Sequence, residues 1–346
     1  MPSWPRRRHE AGTKCGRRSV LAAVAAAFPV AADQPDPGDA RIRFHSAARV
    51  AMKLSIRLAP ALFVVLWSTG FISAKFGLPY AGPLTYLLLR LALVAALMVV
   101  MALAAGAAWP ERPVTWLHLT AAGLMVHGLY LGGVFVAISR GMPAGTASML
   151  VGMQPILTVF LARSWFGERT AARQWWGLAL GLVGVYFVVE HKIRLTGLDW
   201  ASSVSVLVAL IAISIGTLYQ KRYCGGVDLR AGSAIQFGAC AVAYGLLAPW
   251  FESVRIDWTW QFQFALAWSV LVLSVGAISL LYWLLRRGAA ADVARLFYLV
   301  PAVTAVMAYL LFDEPITVLA MAGMALIAVG VMLARPPLPA SPRAAD

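Results

Sequence analysis

The second half of the apolar part of this chain repeats the first at a constant offset of 146 residues. Ser68 pairs with Ser214, Gly70 with Gly216 and Lys75 with Lys221. Further on, Pro155 pairs with Pro301, Thr158 with Thr304, Glu168 with Glu314, Gly177 with Gly323 and Gly184 with Gly330. Ten apolar stretches fill this region, at 55–77, 83–105, 116–139, 142–163, 171–190, 198–220, 230–251, 262–285, 289–312 and 316–334. Each is close to the about 20 residues that cross about 30 Å of hydrocarbon as a helix. Open sheet edges go unsatisfied in lipid, and a barrel would alternate rather than run continuously apolar, so these are helices. A unit of five spans ends on the opposite side from where it began, and its copy must insert upside down. The expected fold is an all-α integral membrane protein of ten transmembrane helices in two inverted five-helix repeats. That plan lets one central pocket face each side of a bilayer in turn.

The expected divisions are a basic N-terminal tail over residues 1–52, a first repeat over 53–190, a second over 191–335 and a C-terminal tail over 336–346. The chain is 61% hydrophobic and 13% charged, with a mean hydropathy of +0.75, against roughly 25% charged in a soluble domain. A net charge of +14 resembles a nucleic-acid signal until it is located. Eleven of the 29 Lys and Arg residues precede Leu58, and most others fall in alternate loops, at Arg112, Arg163–Arg173, Lys221–Arg230, Arg286–Arg287 and Arg335–Arg343. Short loops rich in Lys and Arg stay in the cytoplasm, so a multi-pass inner-membrane protein with both termini cytoplasmic is expected. No nucleic-acid partner is expected, because no soluble basic face exists to hold one.

Residues 1–52 imitate an export signal, with Arg17-Arg18 ahead of the apolar run Val20–Phe28 and small residues at Val30–Ala32. The first true span carries its own insertion signal, and the favoured reading is a disordered tail with Met52 as an alternative start. Cys15, Cys224 and Cys240 have neither metal-site nor disulfide spacing and read as inert; no cofactor and no metal are expected.

Arg90 is the most informative side chain. It lies a third of the way into the second span, between Leu87-Leu-Leu89 and Leu91-Ala-Leu93, where a charge costs from about 2.5 to more than 10 kcal/mol and must face a cavity or a partner. One reading has it meet a carboxylate of the substrate, which the guanidinium fork suits. The other has it tie helices together through backbone carbonyls. Its repeat mate is the neutral Gln236. Trp67, Ser68, Tyr130, Gln154, Tyr219, Tyr282 and Tyr298 are further polar or amphipathic groups inside spans, which face protein or cavity rather than lipid. Asp292 and Arg295 are spaced for a local ion pair. His127, mid-span, reads as a hydrogen bond to a neighbouring helix before it reads as a proton relay.

Pro155 and Pro301 each remove a helix hydrogen bond at matching points and are candidates for flexing as the pocket changes sides. Glu168 and Glu314 precede spans, and each is expected to complement the dipole of the helix that follows it, with Pro315 as the first helical residue. Gly177, Gly181 and Gly184, with Gly323 and Gly330, allow close helix approach, between the fifth and tenth spans or in a homodimer.

Several of these residues carry a family resemblance. Trp67-Ser-Thr-Gly-Phe-Ile-Ser73, Gly82-Pro83 with Tyr86 and Arg90, Gly141-Met-Pro-Ala-Gly-Thr-Ala147 with Pro155 and Glu168, and Gly288-Ala-Ala-Ala-Asp292 with Pro301 and Glu314 resemble the EamA family of the drug/metabolite transporter superfamily. The resemblance runs from Lys53 to Arg335 and includes the ten-span, two-repeat plan. It implies a transporter of amino acids, other metabolites or drugs, often outward, and an Arg at position 90 whatever is carried.

The expected activity is therefore secondary transport of a small organic metabolite such as an amino acid or organic anion. A multidrug exporter of the same superfamily is the alternative, disfavoured because every Asp and Glu falls in a tail, a loop or near a span end. An intramembrane enzyme ranks lower: no nucleophile elbow, P-loop or His pair at ligand spacing occurs. Cysteines placed at Arg163 and Arg255 should react with a membrane-impermeant reagent from opposite faces; labelling of both from one face would contradict the inverted plan.

Overall fold

The computed structural model describes residues 58–166, 172–196, 200–277, 280–281, 283–284 and 296–333. Apart from one isolated bridge between Ala81 and Ile256, the regular structure among these residues is helical. In chain order the helices are α1 (Leu58–Gly77), α2 (Pro83–Ala104), α3 (Pro113–Ser139), α4 (Ala144–Val151), α5 (Gln154–Phe166) and α6 (Ala172–Thr196). There follow α7 (Trp200–Tyr223), α8 (Leu229–Phe251), α9 (Trp260–Ala277), α10 (Val300–Phe312) and α11 (Val318–Leu333). Seven segments among the described residues are long and apolar enough to cross a membrane: α1, α2, α3, α4 with the start of α5, α7, α8 and α9. The apolar helices α10 and α11 have 13 and 16 residues.

Local chemistry sets the helix ends. Prolines open α2 and α3 at their first turn, where a missing N–H costs nothing. Asp228 caps α8 by accepting from Arg230 N–H at 2.8 Å, and Thr259 caps α9 by accepting from Phe262 N–H at 3.3 Å. The fourth span is interrupted by one turn: α4 stops at Val151, Gly152 and Met153 form a hydrogen-bonded turn, and Pro155 is the second residue of α5. Pro301 stands likewise in the first turn of α10, after a 3-10 turn over Phe297–Leu299.

Helices in equivalent places of the two copies pack on each other, α2 against α8 and α6 against α11. The α6–α11 seam is made of backbone. A Cβ added to Gly330 would stand 2.5 Å from the carbonyl oxygen of Gly177 and 3.0 Å from the amide nitrogen of Gly181. One added to Gly184 would stand 2.7 Å from the carbonyl oxygen of Gly323. Contacts of 177 with 330 and 184 with 323 run in opposite chain directions, so α6 and α11 are antiparallel. These glycines, expected to serve either this seam or a homodimer, form the seam.

Glu314 departs from expectation. Helix α11 begins only at Val318, and Thr317 caps it, accepting from Ala320 N–H at 3.2 Å. Pro315 is not helical. Asp313, in the left-handed conformation at φ 52°, turns the chain so that the Glu314 carboxylate reaches the start of α4 instead. Glu168 lies outside the described residues, as do residues 1–57, Asp292 and Arg295.

A branched side chain at the seam should be costly. Gly330→Val is expected to destabilise the protein by about 1–3 kcal/mol through overpacking, read as a lower melting temperature in detergent. Gly238→Ala, with nothing within 4 Å of the added Cβ, should leave the melting temperature within a degree or two of the parent, roughly the scale of a substitution with no named mechanism.

Candidate functional site

Between the helices lies a cavity of about 420 Å3, bordered by residues of α1, α2, α3, α5, α7, α8 and α9 and by Phe297. Most of its wall is apolar: Trp67 and Phe71 from α1, Leu91 from α2, Val134 and Phe135 from α3, Ile213 from α7, Phe237 from α8 and Leu273 from α9. Trp67 is fixed by two aromatic neighbours, Phe63 at 5.4 Å and Phe297 at 5.0 Å between ring centroids, and Phe63 and Phe297 touch edge to face at 5.2 Å. Such contacts hold large rings in one orientation and give a wall of fixed shape.

Arg90 projects into this wall and is 8% exposed. Its Nε has no hydrogen-bond partner, and no carboxylate forms an ion pair with it among the described residues. A guanidinium held this far from water without a counter-charge is costly. It gives the cavity one strong point of attraction for an anion. One turn earlier, Tyr86 donates or accepts at 2.9 Å from Ser269, whose hydroxyl donates to Ser73 at 3.1 Å. That chain ties α2 to α9 and α1 and fixes the backbone that carries Arg90.

The remaining polar groups come from irregular segments. Helix α3 carries a π-helical stretch over Leu124–Leu129, and α9 carries one over Trp268–Ala277, at equivalent positions of the two copies. Widened turns of this kind recur at functional sites because the extra residue re-aims its neighbours. Here they bring Val126, His127, Leu273, Ser274 and Ala277 to the cavity. His127 lies 4.4 Å from the ring of Phe237, with the Gln236 carboxamide in reach. It therefore meets a neighbouring helix, as expected, and also faces the cavity. Gln154, in the first turn of α5, donates to Thr158 and Thr217 at 3.3 Å each, and Thr217 also borders the cavity. A second lobe of about 80 Å3 adjoins at the break between α4 and α5, lined by Ser148, Gly152, Pro155, Val300 and Pro301 and sharing Trp67, Tyr130 and Gln154 with the first.

Of the candidate residues, Arg90, Trp67, Tyr130 and Gln154 share the main cavity, and Pro155 and Pro301 border its smaller lobe. Ser68 is elsewhere: fully buried, it donates to the carbonyl of Val64 at 2.8 Å and to that of Val300 at 3.3 Å, fastening α1 to α10. Tyr219 sits near the end of α7, its hydroxyl 2.7 Å from His118 Nδ1, away from the cavity. Gln236 lies behind the wall, where Gly123 packs against its backbone. Tyr282 and the side chain of Tyr298 lie outside the described residues. Sequence reasoning missed Phe71, Phe237, Phe297, Thr217 and Ser274. Apolar rings and short hydroxyls in apolar helices carry no signal of which way they face. The doubled π-helical stretch also leaves no mark in composition.

Tyr86→Phe removes one hydroxyl from the chain that braces Arg90. The expected cost is about 1 kcal/mol, measured as a lowered melting temperature of the purified protein.

A family model described as the EamA-like transporter family matches residues 55–190 and, separately, residues 200–335. An uncharacterized transporter of Bacillus subtilis, YvbV, is 27% identical over 81% of this chain and 92% of its own. A probable amino-acid metabolite efflux pump of Escherichia coli is 29% identical, covering 79% of this chain and 92% of its own. A probable terminal-alkyne amino-acid exporter of Streptantibioticus cattleyicolor is 29% identical, covering 82% and 94%. A solved protein structure superposes with a TM-score of 0.57 at 18% identity, over 80% of this chain and 96% of that one, a likeness that bears on the fold.

Proposed function

Because the chain belongs to the EamA-like transporter family, we propose that it is a secondary transporter that exports a small carboxylate-bearing metabolite, an amino acid or an organic anion. The observation that carries this reading is Arg90: a buried guanidinium with an unpartnered Nε, aimed into a cavity of about 420 Å3. That volume lies in the range of small-molecule sites, about 300–1,000 Å3. A carboxylate on Arg90 supplies the missing counter-charge, and the rings of Trp67, Phe237 and Phe297 receive the apolar remainder. Tyr130, Gln154 and His127 offer the polar contacts that set its orientation. The names of the two relatives called an amino-acid metabolite efflux pump and an amino-acid exporter agree with this substrate class.

Transport proceeds by alternating access between two inverted repeats, over 53–190 and 191–335, in ten spans with both termini cytoplasmic. One observation supports the inversion, and two more support the duplication. Helix α6 meets its counterpart α11 antiparallel through Gly177–Gly330 and Gly184–Gly323. Gly216 of α7 packs on Met125 and Val126 of α3, while its counterpart Gly70 of α1 faces Leu273 of α9. The two π-helical stretches fall in the same register. Gln236 stands where symmetry would place a second Arg90, so the pocket offers one cationic point rather than two.

Counterflow in proteoliposomes tests the substrate class. Amino or organic acids should compete, and Arg90→Ala should lower their flux about 10-fold or more, the scale of a lost charge-assisted hydrogen bond. Arg90→Lys should retain part of it, because the charge stays and the fork is lost. Competition by lipophilic cations, with normal acid flux in a well-inserted Arg90→Ala protein, would remove the proposal.

A further inference from the structure

One end of the bundle is held shut by carboxylates that reach between helices. Glu314, 8% exposed, follows α10. Its Oε1 accepts from Lys75 Nζ at the end of α1 and from Ala144 N–H, 3.0 Å away, at the start of α4; its Oε2 lies 3.5 Å from Gly145 N. Lys75 also lies 4.8 Å from the ring centroid of Phe312, the last residue of α10. At the same end Glu252, after α8, accepts from Leu84 N–H at 3.1 Å and from Thr85 N–H and hydroxyl at 2.6 Å each. Asp257 N–H donates to Tyr80 at 2.8 Å, beside the bridge of Ala81 with Ile256.

At the Lys75 side of the cavity stands a buried aromatic cluster, of which Phe135 lines the cavity itself. Tyr86, Phe135 and Phe262 are each at most 1% exposed, and the rings of Phe135 and Phe262 stand 5.2 and 5.6 Å from that of Tyr86. Lining residues on the other side of the cavity, among them Val126, Ile213 and Thr217, are half-buried. Among the described residues, the packing around the cavity is tighter toward the Lys75 end than toward the other.

The two carboxylates differ in what they join. Glu252 fastens α8 to α2, helices already packed along their length, with three hydrogen bonds and, among the described residues, no ion pair. Glu314 gathers the ends of three helices whose neighbouring segments frame the cavity, through one ion pair and the first amides of α4. Helix α4 has eight residues and joins α5 through the hydrogen-bonded turn Gly152–Met153, where Pro155 has no N–H to complete the helical ladder. A short helix pinned at its start and joined to the next by a single turn can tilt about that turn without unwinding. Lys75, with 29% of its side chain exposed, can take up water when the pair parts.

We propose that the Lys75–Glu314 pair is the latch of a gate whose leaf is α4, and that parting it opens the cavity to the face that carries Lys75. The distribution of Lys and Arg places that face outside. Glu252 holds α2 to α8 throughout and serves as the fixed side of the gate. The proposal rests on the alternating-access reading above.

The test is thiol accessibility, which needs no substrate. In a chain with Cys15, Cys224 and Cys240 replaced by Ser, Leu131→Cys places a thiol on the cavity wall. A membrane-impermeant maleimide is applied to right-side-out and to inside-out vesicles. The parent should label faster from the face opposite Lys75. Both Lys75→Met, which leaves Glu314 on the α4 amides, and Glu314→Gln should raise labelling from the Lys75 face about 10-fold, the scale of one charge-assisted hydrogen bond. Lys75 is partly exposed, so its replacement tests the latch even where Glu314→Gln fails to insert. Labelling of Lys75→Met within two-fold of the parent at the Lys75 face would overturn the latch, whatever the flux experiments show. Conversely, loss of the carboxylate reading at Arg90 with latch-dependent labelling intact would leave the gate standing.

Discussion

A peptide group at hydrocarbon depth has no water to bond, and the main irregularities among the described residues answer to that constraint. Backbone hydrogen bonding is internal along most of each span. Where it is interrupted, at Gly152–Met153, at the turn Phe297–Leu299 and in the π-helical stretches of α3 and α9, the interruption borders the cavity or its side lobe. Breaks facing lipid would leave carbonyls bare; breaks facing a polar cleft do not. The same constraint places the charges. Arg90 faces the cleft, whereas Glu314 and Glu252 stay near one end, where helix-start amides need acceptors.

Membership of the EamA-like transporter family joins these features to transport. A carrier needs a site that attracts its cargo in either orientation and walls that part on one side at a time. In the function proposed above that attraction is assigned to Arg90, whose guanidinium meets no carboxylate among the described residues. Side chains such as Ser68 and Tyr86, which look like binding groups in sequence, instead fix helices at the cavity's edge. In the gate proposed above, the braced wall on α1, α2 and α9 holds the cargo, and the short α4, joined to α5 by one turn, moves.

Much of this was legible beforehand. Arg90, Trp67, Tyr130 and Gln154 stood out because polar or amphipathic groups in apolar helices must face protein, and all four border the cavity. The glycines of α6 and α11 were readable because small residues at that spacing let two helices approach closely. The facing of Phe71, Phe237 and Phe297 was not, since in a helix apolar all round no periodic stripe marks the inside. Tyr219 misled because a tyrosine near a span end serves an interface or an end contact as readily as a site. Glu314 misled because a carboxylate ahead of a helix reads as that helix's cap, and only the late start of α11 at Val318, with Thr317 already capping it, frees it for α4.

The α6–α11 seam has one more consequence. Its contacts map onto each other when the copies are exchanged, as the two sides of a self-complementary dimer interface do. Yet Ile327 occupies the place that Gly181 holds in the other copy, and Ile327 sits against Gly184 while Gly181 sits against Gly330. Identical subunits would have to place two isoleucines or two glycines there. Joining both halves in one polypeptide lets a bulky residue lie on one side only, so the junction can be filled without forcing its two backbones apart.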